Sequence, residues 1–221
     1  MSEMVNFTAG DGRVDGYLSG PTDTPRAGVV VLQEWWGLVP HIEDIARRFA
    51  AQGYLALAPD LYHGKSTVEQ EEAQHLMDGL DWGLAATEIK GAVDFLRAQG
   101  CAKVGVAGFC MGGALTCIAA ATAGIDAAAA FYGFPPAPNP MATTCPPTLI
   151  FFGENEEVFS VADAQTWAEQ QRAQGVVDTE VVVYPGVGHA FFNDTREDVF
   201  HAASATDAWN RTLAHFGQHL T

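Results

Sequence analysis

The hexapeptide Gly108-Phe109-Cys110-Met111-Gly112-Gly113 constrains this chain more than any other feature. It ends an apolar run, Val104 to Phe109, that reads as a buried strand. It opens an alanine-rich segment, Gly112 to Ala123, that reads as a helix. A strand that passes directly into a helix through glycine-x-nucleophile-x-glycine must turn sharply, and its central residue takes a strained backbone conformation. Side chains two residues before and two after would collide, so Gly108 and Gly112 are required on steric grounds. The turn lifts the Cys110 sulfur above the end of the sheet. It also aims the Met111 N–H and the helix N-terminus at one point, where charge on an oxygen can be stabilised. The competing reading is a buried cysteine that only helps packing in a glycine-rich turn. None of Ser2, Ser19, Ser66, Ser160 and Ser204 sits in a comparable context.

The rest of the chain alternates in the same way. Strands are expected at 13–19, 27–33, 54–58, 104–109, 127–131, 148–152 and 179–184, and helices at 42–52, 68–79, 84–99, 112–123, 162–174 and 199–219. Strands separated by helical patterns imply βαβ crossovers and a mostly parallel sheet covered on both faces. The fold class is therefore α/β, as one domain over residues 1–221, with no repeat or long linker. The segment Phe134 to Pro147 holds six of the eleven prolines and reads as a surface loop.

Charge removes whole classes of function. Against 27 acidic residues stand 11 basic ones, a net charge of −16. Such a surface repels phosphates, so neither nucleic acid nor an anionic membrane is expected as a partner. No apolar run reaches the roughly 18 residues of a membrane span. Met1-Ser2-Glu3-Met4 begins no basic-then-apolar leader, so a cytoplasmic protein is expected. The four cysteines, Cys101, Cys110, Cys117 and Cys145, form no CxxC pair and read as reduced thiols.

A cysteine nucleophile works with a base, and the base with an orienting group. In hydrolases built on such an elbow the chain order is nucleophile, acid, histidine. Pro185-Gly186-Val187-Gly188-His189-Ala190-Phe191 follows the last expected strand, which puts His189 at the same sheet edge as Cys110. His41 and His63 fall in loops after strands, where they could line a pocket. His75, His201, His215 and His219 read as helical. His215 and His219 stand four apart on one helix face, but nothing supplies further ligands, so no metal is expected. The acid should follow the strand at 148–152, where Glu154, Glu156 and Glu157 all stand, and their spacing alone does not choose among them. A further carboxylate, Glu34, directly follows the first strong strand and precedes Trp35 and Trp36. That place supplies the second backbone N–H of an oxyanion site in such hydrolases. The tryptophans suit the wall of an apolar pocket or simple core cover.

Four segments together resemble the dienelactone hydrolase family, the carboxymethylenebutenolidase-like cysteine hydrolases. They are Gln33-Glu34-Trp35-Trp36-Gly37, Pro59-Asp60-Leu61-Tyr62, the Cys110 hexapeptide and the His189 segment, in family order. The resemblance implies an α/β-hydrolase fold, no cofactor, and hydrolysis of lactone or ester bonds on a small molecule by a monomer or small homo-oligomer. It implies Cys110 as nucleophile, His189 as base, Glu34 as a carboxylate hydrogen-bonded to the resting thiol, and the N–H groups of Trp35 and Met111 as oxyanion donors. The family's acid, usually Asp, falls at Glu156, with Glu157 next. Trp36, Lys65, Phe191 and Asn193 are the expected pocket residues. Two arginines that hold a substrate carboxylate in the family are missing: one position falls in His63-Gly64-Lys65, the other at Asn193. A neutral ester is thus at least as well suited as a carboxylate lactone. The rival reading is a ligand-binding or thiol-sensing protein on the same scaffold.

Overall fold

The computed structural model describes residues 1–21, 23–136 and 144–221. Among these, eight strands form one sheet: β1 (Ser2–Ala9), β2 (Gly12–Ser19), β3 (Gly28–Leu32), β4 (Leu55–Pro59), β5 (Val104–Phe109), β6 (Ala127–Phe131), β7 (Thr148–Asn155) and β8 (Glu180–Gly188). Six helices connect them: α1 (Pro40–Ala51), α2 (Gln70–Asp78), α3 (Trp82–Ala98), α4 (Met111–Thr122), α5 (Val161–Ala173) and α6 (Ala202–His219). The sheet order is β1-β2-β4-β3-β5-β6-β7-β8. From β4 to β8 all neighbours are parallel; β2 joins β4 antiparallel, and β1 joins β2 antiparallel.

Every residue of β3, β4, β5 and β6 is buried. Successive strand residues point to opposite faces, so unbroken burial means that both faces are covered. Phe49 of α1 packs its ring 4.6 Å from Trp209 and 5.9 Å from Phe216 of α6. Helices α3 and α4 pack on each other, and α4 lies along β5 and β6. The five residues of β6 are four alanines and Phe131. Alanine is a weak strand former, and here the sheet interior overrides its preference. Among the described residues no helix is long and apolar enough to cross a membrane.

Several boundaries differ from the sequence expectation. Strand β1 was not expected, because only Phe7 and Ala9 of its eight residues are buried. It forms a hairpin with β2 in which Ala9 pairs with Gly12, and Gly10 supplies a positive φ of 55° for the two-residue turn. Helix α1 starts at Pro40, where proline's fixed φ suits the first helical position, so His41 is helical and not in a loop. His201 caps α6 from outside it, its side chain accepting from the Ser204 N–H. Strands β7 and β8 run three and four residues further than expected, to Asn155 and Gly188. The loop expected over 134–147 lies partly outside the described residues.

Candidate active site

Cys110 stands between β5 and α4 with φ 55° and ψ −117°. A Cβ on Gly108 would lie 2.1 Å from the Gly112 carbonyl oxygen, and one on Gly112 would lie 2.5 Å from the carbonyl oxygens of Leu32 and Gln33. Gly108 therefore lets β5 pack against the first turn of α4, and Gly112 lets the elbow press against the end of β3. That contact brings the residues after β3, Glu34 and Trp35, up to the cysteine. The backbone N–H groups of both Met111 and Trp35 act on the Cys110 sulfur, each favouring its charged form. The thiol is 7% exposed. Burial pushes its pKa well above the ordinary thiol value, and the negative charge of Glu34 pushes the same way. The Met111 N–H opposes this, a smaller effect of Glu156 adds to it, and the Trp35 N–H opposes it again. At rest the sulfur is a neutral thiol.

The other half of the site comes from β7 and β8. Their register pairs Asn155 with Gly188 after an irregularity near Gly153. The next residue on each strand is then Glu156 and His189. His189 Nδ1 lies 3.0 Å from Glu156 Oε1 and 2.9 Å from Oε2. Glu156 Oε1 also accepts from the backbone N–H groups of Val158 (2.9 Å) and Phe159 (3.3 Å), and its side chain is fully buried. Glu154 instead accepts from the Gly186 N–H at 2.9 Å, and Glu157 is exposed. Of the three glutamates left open by the sequence, Glu156 is the one on the imidazole.

Glu34 is buried, and both its oxygens are occupied. Oε1 accepts from the Tyr132 hydroxyl at 3.0 Å, and Oε2 from the Asn193 amide at 2.7 Å. The hydrogen bond expected between Glu34 and the thiol is absent among the described residues; Glu34 acts on the sulfur through its field alone. Nor does a hydrogen bond join His189 to the sulfur. Tyr132 was missed by the sequence reading. It directly follows β6, its ring packs 5.0 Å from that of His189, and it has a positive φ of 40°. Its place after a parallel strand, at the sheet edge that carries Cys110, was the available signal. Cys110, Tyr132 and Ala190 are three of the four described non-glycine residues with positive φ, and the fourth is His63. Backbone strain thus gathers at this edge.

The expected pocket residues divide. Trp36 sets its ring edge-on to Trp35 at 5.0 Å and borders a cavity of about 480 Å³. Phe191 has no exposed surface; it packs against Tyr132 and Tyr184 and backs the wall without forming it. Asn193 commits its amide to Glu34 and its carbonyl to the Thr195 N–H and hydroxyl, so its polar atoms are not free for a substrate. Lys65 borders a separate cavity of about 330 Å³ beside His63, whose Nε2 lies 3.2 Å from the buried Glu88. Among the described residues no three His, Cys, Asp or Glu side chains converge to hold a metal. His215 bonds the Pro147 carbonyl at 3.1 Å, and His219 faces Asp178.

Residues 14–220 match the sequence pattern of the Dienelactone hydrolase family. The chain belongs to that family. It is 38% identical to "Protein usf" of Aquifex pyrophilus, over all of both chains. It is 32% identical to a "Putative carboxymethylenebutenolidase" of Aquifex aeolicus, again over all of both. In three dimensions it resembles the crystal structure of a "Putative Dienelactone Hydrolase" from Klebsiella pneumoniae, with a TM-score of 0.87, 27% identity and 99% of each chain covered. The dienelactone hydrolase family is one of α/β-hydrolases, and the eight-stranded, mostly parallel sheet is that fold.

Proposed function

We propose that this dienelactone hydrolase family member cleaves small ester or lactone bonds through a thioester on Cys110. The observation that carries the reading is one sheet edge with two halves. An elbow cysteine lies there between two backbone N–H donors, and a Glu156–His189 pair at 2.9 Å is delivered beside it by β7 and β8.

The sulfur first leaves the Trp35 and Met111 N–H groups and turns towards His189, which takes the thiol proton. The thiolate attacks the carbonyl carbon. Charge collects on the carbonyl oxygen, which occupies the place between the two N–H groups that the sulfur has left. His189 returns the proton to the departing alkoxide as its C–O bond breaks, leaving a thioester. Glu156 stabilises the imidazolium and keeps its tautomer. Water then gives a proton to His189, attacks the thioester, and releases the acid as the C–S bond breaks and the sulfur is reprotonated. In a lactone the alkoxide stays tethered to the acyl group. Thiolates are good leaving groups, so esters with stabilised leaving groups, such as aryl or enol esters, suit this enzyme best. Asn193 and the His63-Gly64-Lys65 segment offer no arginine to a substrate carboxylate, which favours a neutral substrate.

The thiol-sensor reading fits less well. Redox sensors expose a thiol with a depressed pKa, whereas burial and Glu34 push Cys110 the other way. Turnover of a simple aryl ester separates the readings. The expected result is steady hydrolysis, abolished in Cys110→Ala and blocked by alkylation of Cys110 but not of Cys101 or Cys145. Hydrolysis undiminished in Cys110→Ala contradicts the proposal.

A further inference from the structure

Two aromatic rings flank the His189 imidazole. Tyr132 stands edge-on at 5.0 Å and is fully buried. Phe159 lies at 6.0 Å, its plane tilted 32° from that of the imidazole, and it is half-buried. Of the two, only Phe159 keeps exposed surface, and the His189 side chain beside it is itself 23% exposed. Val158, the next residue towards Glu156, is 60% exposed. Phe159 spends part of its surface on the core. An apolar side chain as exposed as Val158 gains little from folding.

Backbone bonds fix this segment, and they place no demand on its side chains. Glu156 Oε1, which meets His189 Nδ1 at 3.0 Å, also accepts from the Val158 and Phe159 N–H groups. Ser160 then caps α5, its hydroxyl accepting from the Asp163 N–H at 3.2 Å. One carboxylate oxygen thus places the imidazole and the Phe159 backbone together. Because Glu156 occupies Nδ1, the proton that His189 takes and returns moves at Nε2. The group bonded to the departing oxygen therefore lies against the imidazole, where Phe159 and Val158 are the adjoining apolar surface. The charges around them are of one sign. Glu154 and Glu157 are exposed, and residues 153–160 include no cation. A flat, uncharged ring suits such a surface, and a carboxylate is repelled by it.

We infer that Phe159, with Val158 beside it, is a specificity-determining platform for an uncharged aromatic leaving group next to His189. Its kinetic consequence rests on the ester-hydrolase reading of Cys110, but its binding does not, so two measurements keep the two apart. The first takes kcat/KM for phenyl acetate and 2-naphthyl acetate, each divided by its rate of hydrolysis by hydroxide, with phenyl hexanoate as a control on the acyl side. The naphthyl-to-phenyl ratio is about three- to tenfold in wild type. It falls towards one in Phe159→Leu, persists in Phe159→Tyr, and falls by less in Val158→Ser. The hexanoate-to-acetate ratio is the same in wild type and all three variants, each of which keeps its N–H on Glu156. Equal losses for the two aryl acetates in Phe159→Leu would mean that the ring only braces His189, and would overturn the platform. A change confined to the acyl ratio would overturn it too. The second measurement follows the Val158 methyl groups by 13C NMR in wild type as 2-naphthol is added. A saturable shift, weakened several-fold in Phe159→Leu, supports the platform even if no ester is turned over. The absence of a saturable shift overturns it even in an active esterase.

Discussion

The side chains of Glu156 and Glu34 are both buried, and both act electrostatically on the Cys110 sulfur, yet their partners differ in kind. Glu156 takes two backbone N–H groups and the imidazole of His189. Glu34 takes a phenol and an amide, both neutral. A carboxylate whose partner can become a cation is positioned to stabilise charge that appears during a reaction. A carboxylate held only by neutral donors keeps a field that nothing nearby cancels, and that field falls on the thiol. In the proposed mechanism the same functional group, on the same sheet edge, thus supports the base in one place and restrains the nucleophile in the other.

Substitutions can break this contrast. The largest effect is expected for Glu156→Gln, which leaves the imidazole without an anion and offers it the wrong hydrogen-bonding face. Turnover of an aryl ester should fall by about a thousandfold or more, while the rate at which iodoacetamide modifies resting Cys110 changes little. Glu34→Gln should do the reverse. Removing a negative charge from beside the sulfur favours thiolate, so the alkylation-against-pH curve moves to lower pH. Turnover should fall by roughly ten- to a hundredfold, at the lower end of what general acid–base assistance contributes. Identical alkylation curves and identical turnover losses in the two variants would remove the distinction.

Tyr132→Phe sharpens the comparison from the side of the partner. It keeps the ring against His189 and deletes only the hydroxyl that meets Glu34 Oε1. The orphaned carboxylate oxygen should cost about 1–3 kcal/mol of stability, read from urea unfolding. The alkylation curve should move with it, because Glu34 is then less firmly held. An unchanged unfolding midpoint contradicts the hydrogen bond. The smallest effect is expected at Glu157, which is exposed and is not the carboxylate on the imidazole. Glu157→Gln should stay within about 0.5 kcal/mol of wild type in stability and leave turnover unchanged.

Much of this is legible in the sequence, and the reasons lie in particular residues. The elbow was readable because steric demand at Gly108 and Gly112 leaves a sequence signature. His189 was readable because it follows a strand in the expected chain order. The choice of Glu156 over Glu154 and Glu157 was not readable from the residues alone. It depends on β7 and β8 running on to pair Asn155 with Gly188, through an irregular register that spacing does not reveal. Tyr132 escaped because one tyrosine after an alanine-rich strand has no local pattern; its contact with Glu34 spans 98 residues of chain. Phe191 was placed on a pocket wall by its closeness to His189 but turns inward into the aromatic packing, whereas Asn193 does border a cavity while spending its amide on Glu34. Strand β1 was hidden by its exposure, since an edge strand with only two buried residues shows little apolar periodicity.

The central claim is that the acyl group passes through the Cys110 sulfur. Acid quenching during turnover of an aryl ester, followed by mass analysis of the intact protein and its peptides, tests it most directly. The account predicts one added acyl group per chain, located on the peptide containing Cys110 and removed by neutral hydroxylamine as a thioester would be. It also predicts that this species accumulates when deacylation is slowed, and that Cys110→Ala neither forms it nor turns over substrate. An acyl group on another residue, or steady hydrolysis by Cys110→Ala with no adduct, would contradict it.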